Sequence, residues 1–140
     1  MSYAGDLSPE AAWQKVADGA TLVDVRTEAE WQAIGVPDTG SIAVEPVFVQ
    51  WNLAGNVWNS EFLAQLAEAV PAGADLVFLC RSGARSISAA EAATEAGFTA
   101  YNVLEGFEGV PNSYGDRTVN GWKNRKLPWK TLADQNRLEA

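Results

Sequence analysis

The stretch from Asp75 to Phe98 constrains the fold more than any other part of the chain. After Asp75, the run Leu76-Val77-Phe78-Leu79 is continuously apolar. A strand with no polar face is buried on both sides, which is how central strands of parallel sheets read. Cys80-Arg81-Ser82-Gly83-Ala84-Arg85-Ser86 follows, and then an alanine-rich segment predicts a helix over 84–96. Ala96-Gly97-Phe98 stops that helix with a glycine followed by an apolar residue. Alanines on several of its faces call for close packing against a sheet.

The rest of the chain repeats this alternation. Ser8-Pro9-Glu10 supplies a cap, a proline at the first helical position and an acid in the first turn, so a helix runs to about Ala17. Thr21 to Val25 reads as a short strand and Glu28 to Ala33 as one or two helical turns. Ser41 to Val44 is the next expected strand. Residues 45–57 mix apolar residues with Pro46, Asn52, Gly55 and Asn56 and give no clear pattern. Asn59-Ser60-Glu61 caps a helix to about Val70, with Phe62, Leu63, Leu66 and Ala69 or Val70 on one face. Tyr101 to Leu104 is a further strand, Gly106 to Val110 a turn, and Pro111 to Gly121 a loop. Short strands alternating with helices predict an α/β fold, a small parallel sheet flanked by helices on both faces.

A chain of 140 residues is expected to form one domain, with a core over about 8–130 and a short C-terminal tail. No apolar run approaches the roughly 18 residues of a membrane span. Met1-Ser2-Tyr3-Ala4-Gly5-Asp6 lacks the basic and apolar regions of a signal peptide. With a single cysteine no intramolecular disulfide can form, and the expected location is cytoplasmic. Histidine is absent, which removes Cys–His dyads, Ser–His–Asp triads and histidine-ligated metals. Four basic residues face sixteen acidic ones before residue 117, and a surface that acidic argues against nucleic acid or anionic lipid as a partner.

Three of those four basic residues, Arg26, Arg81 and Arg85, stand at strand ends. In open α/β sheets the active site lies beyond the carboxyl ends of the strands, which places Asp24-Val25-Arg26 and Cys80 on one rim. A thiol there meets the free N–H groups of a tight turn and the dipole of a helix start, both of which favour negative charge on sulfur. Arg85, in the first helical turn, can reach over the loop with a planar fork of donors suited to oxyanions. Arg81 points outward toward an incoming anion. Ser82 and Ser86 can donate to a charged sulfur or cap the helix. Gly83 lets the backbone curl without steric cost. Asp24 and Arg26 could pair with each other, cap the following helix or support the cysteine loop, with a supporting role favoured for Asp24. Trp31, Trp122 and Trp129 read as packing residues.

Taken together, these segments resemble the single-domain rhodaneses, the thiosulfate sulfurtransferase-like domains. The matching segments are Leu22-Val23-Asp24-Val25-Arg26 with Glu30-Trp31, then Val77 through Ser86, then Ala96-Gly97-Phe98. Asn102-Val103-Leu104-Glu105-Gly106-Phe107, Gly121-Trp122 and Leu127-Pro128-Trp129 complete the set in order. The resemblance implies a double displacement in which Cys80 takes the outer sulfur of a small anionic donor such as thiosulfate and holds it as a persulfide. A thiol, cyanide or a protein acceptor then removes it. The backbone of residues 81–86, Ala84 included, would cradle the persulfide, with no metal or organic cofactor. Where relatives often read Gly-His-Ile-Pro-Gly-Ala, this chain has Ile34-Gly35-Val36-Pro37-Asp38-Thr39. Residues 45–60 are longer and richer in Trp and Asn than a minimal domain needs.

A cysteine-dependent phosphatase or an arsenate reductase is the rival enzyme. Such phosphatase loops carry five residues between cysteine and arginine, giving room for tetrahedral phosphate. Only four, Arg81 to Ala84, intervene here. A non-enzymatic sulfur-relay or binding module is the alternative of a different class, and the acidic surface favours it because thiosulfate is a dianion.

Overall fold

The computed structural model describes residues 3–132. The C-terminal tail from residue 133 and the first two residues of the expected leaderless amino terminus lie outside the described residues. Five parallel strands form the main sheet: β1 (Gly5–Leu7), β2 (Thr21–Asp24), β4 (Val47–Phe48), β7 (Asp75–Leu79) and β8 (Thr99–Val103), in the order β1-β8-β7-β2-β4. β7 is central, as its apolar run requires. Leu76, Phe78 and Cys80 face one core, while Val77 and Leu79 face the other. On the first side the sheet is covered by α3 (Phe62–Ala69) and α4 (Ala84–Glu95), through Phe62, Leu66, Ala89, Ala90 and Ala93. On the second side it is covered by Ala12 and Val16 of α1 (Pro9–Ala17), with Phe107 and the fully buried Trp122.

The local signals account for most boundaries. Ser8 Oγ accepts from the Ala11 N–H at the start of α1. Thr27 and Glu30 form a reciprocal capping box at the start of α2 (Glu28–Ile34). Asn59 Oδ1 accepts from the Glu61 N–H just before α3. Only Phe62, Leu66 and Val70 of the expected α3 face are buried, while Leu63 is exposed because it turns off that stripe.

The strand expected over Ser41–Val44 is not formed. Asp38 Oδ1 accepts from the Gly40 N–H, Thr39 Oγ1 donates to the Val44 carbonyl, and Gly40–Ile42 is a 3₁₀ turn closed by Ala43 in the left-handed region. Pairing with β2 begins only past Pro46, at β4, where Val47 aligns with Val23 and Phe48 with Asp24. Residues 52–58 make a small antiparallel hairpin, β5 (Asn52–Leu53) and β6 (Val57–Trp58), turned by Ala54–Asn56. A second two-stranded pair, β3 (Val36–Pro37) with β9 (Trp129–Lys130), ties the end of the described chain back beside Gly35. No helix among the described residues is long and apolar enough to cross a membrane.

Candidate active site

Cys80 follows directly on the end of β7 and is 1% exposed. Gly83, at φ +116, turns the chain sharply into α4 and donates its N–H to Cys80 Sγ at 3.1 Å. The first turn of a helix leaves N–H groups without intrahelical partners, so the sulfur lies beside the positive end of α4. Ser86 Oγ is 3.2 Å from Sγ on the other side. The same hydroxyl lies 3.1 Å from the Gly83 carbonyl and 2.5 Å from Asn102 Oδ1. Asn102, buried on β8, donates to Asp6 Oδ1 at 3.0 Å, and Asp6 in turn accepts from the Tyr3 hydroxyl at 2.7 Å. A polar chain thus runs from the sulfur through Ser86 and Asn102 to Asp6. Hydrogen bonding to Asp6 raises the Tyr3 phenol, with burial and the Asp6 charge acting in the same sense.

A second backbone segment braces the loop from behind. Phe107 N–H donates to the Cys80 carbonyl at 2.8 Å and Glu108 N–H to the Arg81 carbonyl at 2.9 Å. This approach needs Gly106, at φ +63: a Cβ there would fall 2.6 Å from the Cys80 and Arg81 carbonyl oxygens. Glu105, held below the ordinary carboxylate range mainly by its hydrogen bond with Arg125, also accepts from the Gly121 N–H and so anchors the loop that follows.

The predicted charged residues divide into two groups. Asp24 and Arg26 are fully buried and bind each other, with Arg26 Nη2 2.7 Å from Asp24 Oδ2 and Nε 3.0 Å from Oδ1. Arg26 also donates to the Gly35 carbonyl and lies 4.2 Å from the centre of the Phe107 ring. Asp24 and Arg26 therefore sit under the site, not in it. Arg81 and Arg85 line an open cleft of about 870 Å³ together with Glu28, Glu30, Gln50 and residues 52–56 of the β5–β6 hairpin. Arg85 does not stand free over the loop. It forks onto Glu30, Nη1 to Oε1 at 2.6 Å and Nη2 to Oε2 at 2.9 Å. Burial alone would raise the Glu30 carboxyl, but hydrogen bonds from Arg85 and Thr27 outweigh it and hold it below its usual range. Arg81, half-exposed, has Nε 3.6 Å from Glu108 Oε2. Ser82 is half-buried and Ala84 exposed, and neither side chain makes a hydrogen bond among the described residues.

Two of the residues that matter here carried no assigned role in the sequence reading. Glu30 was legible as the third residue after Thr27 in a capping box, and Asn102 as an amide in an otherwise apolar strand, where amides are depleted. The described residues hold no group of three or more Cys, Asp or Glu placed to bind a metal ion.

The model of the rhodanese-like domain matches residues 8–112, from the cap of α1 past the segment that braces the cysteine loop. The chain belongs to the rhodanese-like domain family. The crystal structure of Rv0390 from M. tuberculosis superposes on this rhodanese-like domain with a TM-score of 0.88 and 52% identity, covering 92% of this chain and 98% of that one. Uncharacterised proteins of Rickettsia conorii and Rickettsia rickettsii are each 38% identical over 114 residues, 81% of this chain and 85% of theirs. The solution structure of the polysulfide-sulfur transferase homodimer from Wolinella succinogenes shares the fold, with a TM-score of 0.59 at 24% identity over 90% of this chain and 77% of that one.

Proposed function

We propose that this rhodanese-like domain is a sulfurtransferase that carries a sulfane sulfur on Cys80. The observation that carries the reading is the setting of Sγ: a buried sulfur at a strand end, 3.1 Å from a backbone N–H donor and beside the start of α4, with no imidazole anywhere in the chain. Donors fixed in this way stabilise negative charge on sulfur without a proton-accepting partner. With thiosulfate, the Cys80 thiolate attacks the outer sulfur, the S–S bond breaks, and the electron pair leaves with sulfite. In the return step cyanide or a thiolate attacks the outer sulfur of the persulfide, and the electron pair returns to Cys80. The short loop, with four residues between Cys80 and Arg85, suits one sulfur atom better than a tetrahedral oxyanion.

Incubation with thiosulfate should add one sulfur to the intact mass, and cyanide should then remove it as thiocyanate. An adduct that persists in Cys80→Ser, or hydrolysis of an aryl phosphate in its place, defeats the proposal.

A further inference from the structure

Neither arginine of the cysteine loop offers an uncompensated charge. Arg85 is held by both carboxylate oxygens of Glu30, and Arg81 lies against Glu108. Glu28 opens onto the same cleft and has no ion-pair partner among the described residues. Between Arg26 and Arg81 the sequence holds seven acidic residues and no basic one. A small dianion entering here meets a field that is neutral to negative, whereas a cation is attracted. The cleft, at about 870 Å³, is also far larger than an inorganic anion requires and falls in the range that takes an extended ligand.

One wall of that cleft is residues 52–56, the first strand and turn of the β5–β6 hairpin, where Leu53 is 37% exposed. On the hairpin's other strand, outside the cleft lining, Val57 and Trp58 are 58% and 56% exposed. Apolar side chains exposed on a hairpin that shares a cleft with Arg81 and Arg85 form a contact surface rather than a core. Its base is anchored to the core: Trp58 packs edge-on against Trp51, and Trp51 against the buried Phe62.

We propose that the acceptor for the Cys80 sulfur is a cysteine thiol on a cationic, extended segment of another protein, seated between α2 and this hairpin. The inference rests on the sulfur-transfer reading of Cys80. In the step proposed, the acceptor thiolate attacks the outer sulfur of the Cys80 persulfide. The S–S bond breaks, its electron pair leaves on Cys80, and the acceptor cysteine becomes the persulfide, so no external oxidant or reductant is needed.

The test uses the full chain, loaded with thiosulfate or inorganic polysulfide and discharged by cyanide, glutathione, or a cysteine pentapeptide flanked by lysines or by glutamates. Sulfur leaving the protein and arriving on the peptide is followed by mass. The lysine-flanked peptide should discharge the protein about tenfold faster than the glutamate-flanked one at low salt, a gap that closes toward unity near ~0.5 M salt. Glu28→Lys should narrow the gap, and Leu53→Ser, on the hairpin wall of the cleft, should lower the ratio of the lysine-peptide rate to the cyanide rate. Equal peptide rates, or glutathione outrunning both, overturn the proposal. So does concentration-dependent dimerisation that Val57→Ser abolishes, which would assign the hairpin to a second copy. If Cys80 loads and cyanide discharges it while peptides do not, this inference alone fails. If Cys80 never loads, the sulfurtransferase reading fails with it.

Discussion

Replacing Asp24 by Asn removes a charge while keeping the shape of the side chain, and the structure fixes what that costs. Asp24 and Arg26 are both fully buried, and among the described residues the guanidinium has only the Gly35 carbonyl and the face of Phe107 as further partners. Removing one member of a buried pair strands the other charge, at a cost of about 3–5 kcal/mol. Against a total stability of about 5–15 kcal/mol, that is about a fifth at the least of what holds the domain folded, and all of it at the most. For a chain of this length the entropy of unfolding is about 0.3 kcal/mol per degree, so the melting temperature should fall by roughly 10–17 °C. Asp24→Leu combined with Arg26→Met leaves no stranded charge and should recover most of the loss, since apolar substitutes for a buried pair are often neutral or stabilising. Thermal and urea unfolding, followed by tryptophan fluorescence with the fully buried Trp122 among the reporters, measure both variants. A loss below about 1 kcal/mol for Asp24→Asn refutes the reasoning, because it is the size expected of a solvated pair. A double variant as unstable as Asp24→Asn refutes it equally, because the cost would then lie in packing and not in charge.

Three further outcomes follow from the site. Gly106→Ala should displace the Cys80–Arg81 backbone, since its Cβ would meet two carbonyl oxygens at 2.6 Å, and sulfur loading measured by mass should slow about tenfold or more while the far-ultraviolet spectrum is retained. Ser86→Ala leaves Asn102 Oδ1 buried without its donor and should cost about 1–3 kcal/mol in urea unfolding, with slower alkylation of Cys80 by iodoacetamide. Because the Glu30 carboxyl is held below its ordinary value of 4.5, its contribution to stability is present above that pH and disappears as the pH falls through the folded value. Glu30→Gln should therefore lower the urea midpoint at pH 7 and match the wild type well below pH 4, and a difference that persists in acid would show that the fork onto Arg85 is not what Glu30 contributes.

The elements that the sequence reading placed correctly are those whose signals are local. The apolar run of β7, the cap of α1 and the glycine after α4 each act over a few residues, and each appears where its residues put it. α3, by contrast, starts at Phe62 without a side-chain cap, Asn59 binding the Glu61 N–H just before it. Ser41–Val44 failed as a strand for a reason of the same local kind: β-branched and apolar residues suggest extension, but Thr39 and Asp38 capture the backbone first and turn it. β1, β3 and β9 went unseen because two or three residues carry no period, and they are strands only through partners far along the chain. The same limit applies to the site. Cys80, Gly83 and Ser86 are neighbours in sequence and converge on one sulfur, whereas the Arg85–Glu30 fork spans 55 positions and the Asn102–Asp6 bond 96.

Those long-range pairs alter what the local motif does. Read alone, two arginines flanking a cysteine describe a magnet for anions. In the folded chain the capping carboxylate of α2 takes one of them and Glu108 leans on the other, so the loop retains its dipoles but not its net charge. The distinction matters because the two act over different distances. Backbone N–H groups stabilise a charge on the sulfur they touch and fade within a few ångströms, while net charge steers ligands across a Debye length of about 8 Å or more. On the proposed sulfurtransferase reading, a site of this design holds a persulfide anion once it has formed without drawing inorganic anions out of solution. On that reading selectivity comes from contact, and the cleft between α2 and the β5–β6 hairpin, lined by both loop arginines, offers a surface for it.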